Sequence, residues 1–177
     1  RRDLLRALEA RHRGERHVFG MQLAEDAGLP LILGSEVTLV DGTRLVLLAT
    51  DRASYGDLTQ LVTRGRRNAA KGTYELTRDD VAALAASCLA LWLPALDLRS
   101  PAPDGALHAQ AGWVRDVFGE RAWIGVGLLA QAGDAARLAQ STLLAKAHGL
   151  PLVAAGDAHM HVRARRRLQD RGVAVAE

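Results

Sequence analysis

The tetrapeptide Gly-Leu-Pro-Leu occurs twice, at residues 28–31 and 149–152, and each copy opens an apolar run closed by a glycine and an acid. The first run leads to Gly34-Ser35-Glu36 and the second to Gly156-Asp157. Upstream, Gly14-Glu15-Arg16 and Gly119-Glu120-Arg121 each precede a short strand pattern and then a helical one. Each copy therefore reads strand–helix–strand. A crossover of this kind lays its second strand parallel to its first. The echo predicts an α/β fold, either a barrel or an open sheet, with Glu36 and Asp157 on the rim at the strand ends.

The second copy carries the richer chemistry. Leu150 to Ala155 is a short apolar run that suits a buried strand. Asp157, His159 and His161 follow at alternating positions. Carboxylate oxygen and imidazole nitrogen are ligands for zinc, manganese or iron. Glu36, Asp157 and His159 thus compose a candidate metal rim, with His161 and Cys88 as further candidates. A metal held there activates water and clamps a phosphate, the parts that phosphoester hydrolysis needs. The plainer alternative is a polar turn after a core strand. Cys88 also reads as a core thiol, and His161 as a supporting or surface histidine. His12, His17, His108 and His148 read as structural or exposed. No P-loop, dinucleotide fingerprint or nucleophile elbow is present.

Composition narrows the class. A chain of 177 residues can bury one sizeable core, so residues 1–177 read as a single domain. Hydrophobic residues make up 49% but aromatics only 4%, which leaves the packing to Leu, Val and Ala. The net charge of +3 is too mild to indicate nucleic-acid binding by itself. One cysteine excludes an internal disulfide and fits a reducing, cytoplasmic setting. No apolar run is long enough to span a bilayer, so no membrane partner is expected. The chain starts at Arg1 and enters a helical pattern directly, which reads as an excerpt of a longer product.

In chain order, residues 3–13 read as a helix, His17 to Gly20 as a weak strand, and Met21 to Ala27 as a short helix. Leu29 to Leu33 reads as an apolar strand ending at Glu36, which places Glu36 at one end of the sheet. Asp41-Gly42 signals a hairpin between Val37–Val40 and Arg44–Ala49. Ser54 to Ala70 is helical, with a basic far end at Arg64, Arg66, Arg67 and Lys71 that suits the helix dipole. That end reads as a solvated face or as a phosphate or DNA contact. Thr77 caps a helix that runs through Val81 and Leu84 towards Cys88. Helices over Leu107–Phe118 and Asp134–Ala147 flank a strand at Ala122–Leu128. Leu138, Thr142, Leu143 and Ala145-Lys146 are expected near the inner face of the second of these helices. Arg163, Arg165, Arg166, Arg167 and Arg171 mark a basic helical segment, a weak nucleic-acid candidate.

Residues 149–161, followed by Val-Arg-Ala-Arg-Arg-Arg-Leu-Gln-Asp170, resemble the closing motif of the PHP domain (polymerase and histidinol phosphatase). The branch most resembled is the PHP domain of error-prone DNA polymerases, among the polymerase III alpha subunits. Gly28–Glu36 resembles that family's Gly-x-Glu strand end, Arg44–Leu58 its next strand and helix, and Arg66–Thr77 the segment after. Ser87-Cys88-Leu89 falls where the family has a metal-ligand cysteine. The resemblance covers residues 28–170. It implies a partial, distorted TIM-like barrel with mostly parallel strands, surrounding helices and a polynuclear metal site. The matched ligand positions are Glu36, Cys88, Asp157 and His159, and the implied metal is zinc, manganese or magnesium. The family's opening His-x-His motif, and the Asp and His after it, have no match before Glu36. Arg44 stands where many relatives carry a ligand histidine. A guanidinium there could neutralise the carboxylates in place of metal.

The expectation is the PHP-domain portion of an error-prone DNA-directed DNA polymerase acting in replication, repair or damage tolerance. The polymerase's own catalytic carboxylates lie in a later domain, so this portion is not expected to polymerise DNA alone. Its partners would be the rest of the polymerase polypeptide and, through it, DNA. Two alternatives stand: a free-standing metal-dependent phosphoesterase, and a non-catalytic nucleic-acid-binding module using the Arg163–Arg171 helix.

Overall fold

A computed structural model describes residues 26, 28 and 30–156. The chain divides into two units, residues 1–33 and 34–177. In the first unit Gly28 takes a left-handed backbone (φ +62°). The described residues 30–33 belong to no strand, so the apolar run expected there does not form one. The elements expected before residue 26 lie outside the described residues.

The second unit runs β1 (Gly34–Thr38), β2 (Arg44–Leu48), α1 (Arg52–Arg67), α2 (Arg78–Leu84), β3 (Leu89–Trp92), α3 (Gly105–Phe118), β4 (Ala122–Val126), α4 (Asp134–His148) and β5 (Leu152–Ala154). The hairpin forms where Asp41-Gly42 predicts it. Gly42 supplies the left-handed conformation (φ +81°) that a tight turn requires. The Asp41 carboxylate accepts from the Thr43 amide at 2.9 Å and from Arg78 Nε at 2.6 Å. Burial pushes the Asp41 carboxyl up, but these bonds outweigh it and hold the group below its ordinary value.

Helix starts follow side-chain caps. Asp51 accepts from the Ser54 amide and Ser54 Oγ returns to the Asp51 amide, so α1 begins at Arg52, two residues before the expected start. Thr77 and Asp80 make the same reciprocal box for α2. That helix stops at Leu84, and Cys88 lies in the turn before β3 rather than near a helix end. Gly149, left-handed at φ +65°, closes α4.

The strands lie in the order β1-β2-β3-β4-β5. β1 pairs antiparallel with β2 and β2 antiparallel with β3; β3–β4 and β4–β5 are parallel. The described sheet is therefore mixed and open: two of its four pairings are antiparallel, where mostly parallel strands in a partial barrel were expected. The tight turn at Asp41-Gly42 reverses β2, and β2 then pairs with β3 across two helices. The unit β4–α4–β5 is parallel, as the repeat predicts.

One face of the sheet is the core. Val37, Leu45, Leu47, Ala90, Trp92, Ala122 and Ile124 alternate along the strands and share a buried cluster with Leu58 and Leu61 of α1 and Val114 and Phe118 of α3. Helix α4 corrects the expectation about its inner face. Leu138 and Leu143 are exposed, while Gln140, Ser141 and Leu144 are buried. Gln140 faces inward because its amide donates to the Asp97 and Ser100 carbonyls at 2.8 and 2.6 Å, anchoring the loop after β3. Among the described residues no helix is long and apolar enough to cross a membrane.

Candidate functional site

Strands β1, β3, β4 and β5 point the same way, so their carboxyl ends and the start of β2 share one edge. Pairing lines up Thr38, Arg44, Leu93, Gly125 and Val153 across it, with the Leu93 amide bonded to the Arg44 carbonyl at 2.9 Å. This edge is where open α/β sheets bind ligands. A cavity of about 230 Å³ lies here, lined by Arg44, Pro94, Gly125, Gly127, Asp134 and Arg137 among others. Two glycines keep it open. A Cβ at Gly125 would come within 2.6 Å of Leu93 Cδ2, and one at Gly127 within 2.9 Å of the Ala155 carbonyl. The lining ends at Gly156, directly before Asp157 in the chain.

Glu36 is the third residue of β1, opposite Val46, and not beyond the strand's end. The strand starts at Gly34 because Gly34 already pairs with Leu48. Glu36 Oε1 accepts from Arg44 Nη2 at 2.6 Å. The guanidinium expected to neutralise carboxylates therefore does so for this one. Both side chains are about half exposed (46% and 48%), so the pair contributes little to stability.

Cys88 is fully buried at the opposite end of β3. Its Sγ donates to the Ser54 carbonyl at 3.7 Å. Burial pushes the thiol up, and the charges of Asp57 and Asp51 add to that. Strand rise and spacing separate the Cys88 and Glu36 backbones by more than about 10 Å. The structure does not bring them together. Among the described residues no three His, Cys, Asp or Glu side chains cluster. Of the four candidate ligands, the two described are thus an arginine-bound carboxylate and a buried thiol. Asp157, His159, His161, Arg163, Arg165, Arg166, Arg167 and Arg171 lie outside the described residues.

Arg137 and Asp134 on this edge were not singled out from sequence. The signal was there, since the first turn of the helix in a strand–helix–strand unit faces the carboxyl edge. Arg137 Nε is buried with no hydrogen-bond partner among the described residues. At the basic end of α1, Arg64 bonds Asp80 at 3.3 Å, and Arg66 bonds the Thr73 carbonyl at 3.3 Å and sits 5.8 Å from the Tyr74 ring centre. Both arginines thus have local partners.

Comparison with known proteins gives a consistent answer. Over 154 residues, 87% of the chain, it is 46% identical to an error-prone DNA polymerase of Pseudomonas fluorescens. The similarity is to a segment of that polymerase. The chain spans only 14% of its length. An error-prone DNA polymerase of Pseudomonas aeruginosa is 46% identical over 149 residues, 84% of the chain and 14% of the polymerase. The Azoarcus polymerase of the same name is 43% identical over 175 residues, 96% of the chain and 16% of its own length. That alignment goes beyond residues 28–170 and takes in part of the first 20 residues. No protein-family model matches the chain.

Proposed function

We propose that this chain is the PHP-type portion of an error-prone DNA polymerase, and that it supports the polymerase structurally while the phosphoesterase chemistry of its rim is lost. The similarity to error-prone DNA polymerases supports the first half of the reading. The Arg44–Glu36 pair supports the second: a guanidinium holds one of the candidate ligands at 2.6 Å. DNA and the remaining polymerase domains are the partners this reading implies.

The test of the first half is the mass of the native product, detected in cell extract by peptide mapping against this sequence. A product several times the 19.0 kDa of this chain is expected. A product near 19.0 kDa overturns the polymerase reading and leaves a small free-standing protein. Phosphatase assay of the purified chain with added manganese tests the second half. The expected result is no activity above that of Asp157→Ala; activity that this substitution removes would restore the phosphoesterase reading.

A further inference from the structure

His108, in the first turns of α3, and His148, the last residue of α4, are forty residues apart and meet ring to ring. His108 Nδ1 lies 3.0 Å from His148 Nε2, with ring centres 5.2 Å apart and planes tilted by 45°. Two nitrogens converging so closely share one proton in the neutral pair, one ring donating and the other accepting. The same separation suits a metal. At Zn–N distances of 2.0–2.1 Å, tetrahedral geometry sets neighbouring nitrogens about 3.3 Å apart. Tetragonal copper or nickel at similar bond lengths sets them about 2.9 Å apart. The observed 3.0 Å falls between the two.

We propose that His108 Nδ1 and His148 Nε2 form a two-histidine site for a divalent transition-metal ion of the zinc, copper and nickel class, separate from the strand rim. Imidazole suits these ions and does not suit magnesium or calcium. For the ion to enter, the shared proton moves to a far ring nitrogen, so that both facing lone pairs point at the metal. Both rings are half-buried, which leaves water to complete the coordination shell. Gly112 flanks His148 without a side chain; even a Cβ there would stay 3.9 Å from the ring. Arg115 donates to the Gly149 carbonyl at 3.3 Å and so ties α3 to the end of α4, holding the two rings in register. Desolvation, aided by His108, keeps His148 neutral to lower pH than usual, which is the ligand form.

The experiment titrates the full chain with zinc chloride at pH 7.5 and follows the imidazole ¹⁵N resonances. Both facing nitrogens should shift together and saturate at one equivalent. His108→Ala and His148→Asn should each abolish that saturable shift, with far-UV circular dichroism confirming that the variants are folded. Asp157→Ala should retain it. Ring nitrogens that do not move at saturating zinc overturn the site. So does undiminished affinity in a folded His108→Ala, or loss of the shift in Asp157→Ala, which would place the ion at the strand rim.

Discussion

The two faces of the sheet are built by the same strands and are opposite in character. The helix-covered face carries Leu45, Leu47, Ala90, Trp92, Ala122 and Ile124, none of them measurably exposed. The other carries Glu36, Arg44, Val46, Leu91, Trp123 and Val153, all half-buried or exposed. Parallel strands are ordinarily buried on both faces, yet β4 here is covered tightly on only one, and no residue of β5 is fully buried. The difference separates two jobs. The covered face determines whether the chain folds, because it holds the contiguous apolar cluster. The open face carries the charged pair and one side of the rim cavity, where substitution costs less and chemistry can vary.

The sharpest break in this comparison comes from adjacent residues of β2. Leu47→Ala on the covered face should cost about 2–5 kcal/mol, the range for deleting a buried aliphatic side chain. Val46→Ala, one residue away on the half-exposed face, should cost about 1 kcal/mol or less. Urea unfolding midpoints of the two variants check this. Equal losses would mean that the open face is as tightly packed as the core.

Local signals in the sequence carried much of this. Asp41-Gly42, the Thr77 cap and the unit ending in Gly149 are set by a few adjacent residues, and the hairpin, α2 and the β4–α4–β5 crossover appear where they point. The start of α1 was readable as well: Asp51 and Ser54 have the spacing of a capping box, passed over in favour of the apolar periodicity after Ser54. The antiparallel return of β3 to β2 was not readable. It pairs Leu48 with Leu89 across forty residues, and no local pattern encodes a partner at that distance. The same holds for the site. Glu36 stands out in the sequence by its type, but its place inside β1 depends on pairing with β2. His108 and His148 each look ordinary in their own helices, and only packing joins them. The inward face of α4 was misread because Gln140 is polar; its burial depends on two carbonyls in a distant loop.

The capping box of α2 tests how far local order underlies the covered face. Asp80→Asn should destabilise the chain by about 1 kcal/mol at pH 7, the usual cost of weakening a helix start. Bonds from the Thr77 amide, opposed by burial and aided by the Thr77 hydroxyl and Arg64, hold the Asp80 carboxyl below its ordinary value. A depressed folded-state value means the stabilisation is full above the unfolded carboxylate range and is lost as pH falls through the folded one. The gap between parent and variant should therefore narrow on acidification below about pH 4. Thermal unfolding of both proteins from pH 7 to pH 3 measures it. A gap that stays constant would show that Asp80 acts through shape and not through its charge.

The smallest effect is expected on the open face itself. A double-mutant cycle over Glu36→Gln and Arg44→Gln should give a coupling of about 0–1 kcal/mol, because both side chains are half in water. The coupling should shrink further in 1 M salt, where the screening length falls to about 3 Å. So small a value would mean that Arg44 does not occupy the rim for the sake of stability. Its consequence is chemical: it neutralises a carboxylate that is otherwise free to bind a cation. A coupling of about 3 kcal/mol or more would instead mark the pair as desolvated in solution. The open face would then be covered when the chain is folded, and the contrast between the two faces would fail at the residues that carry its chemistry.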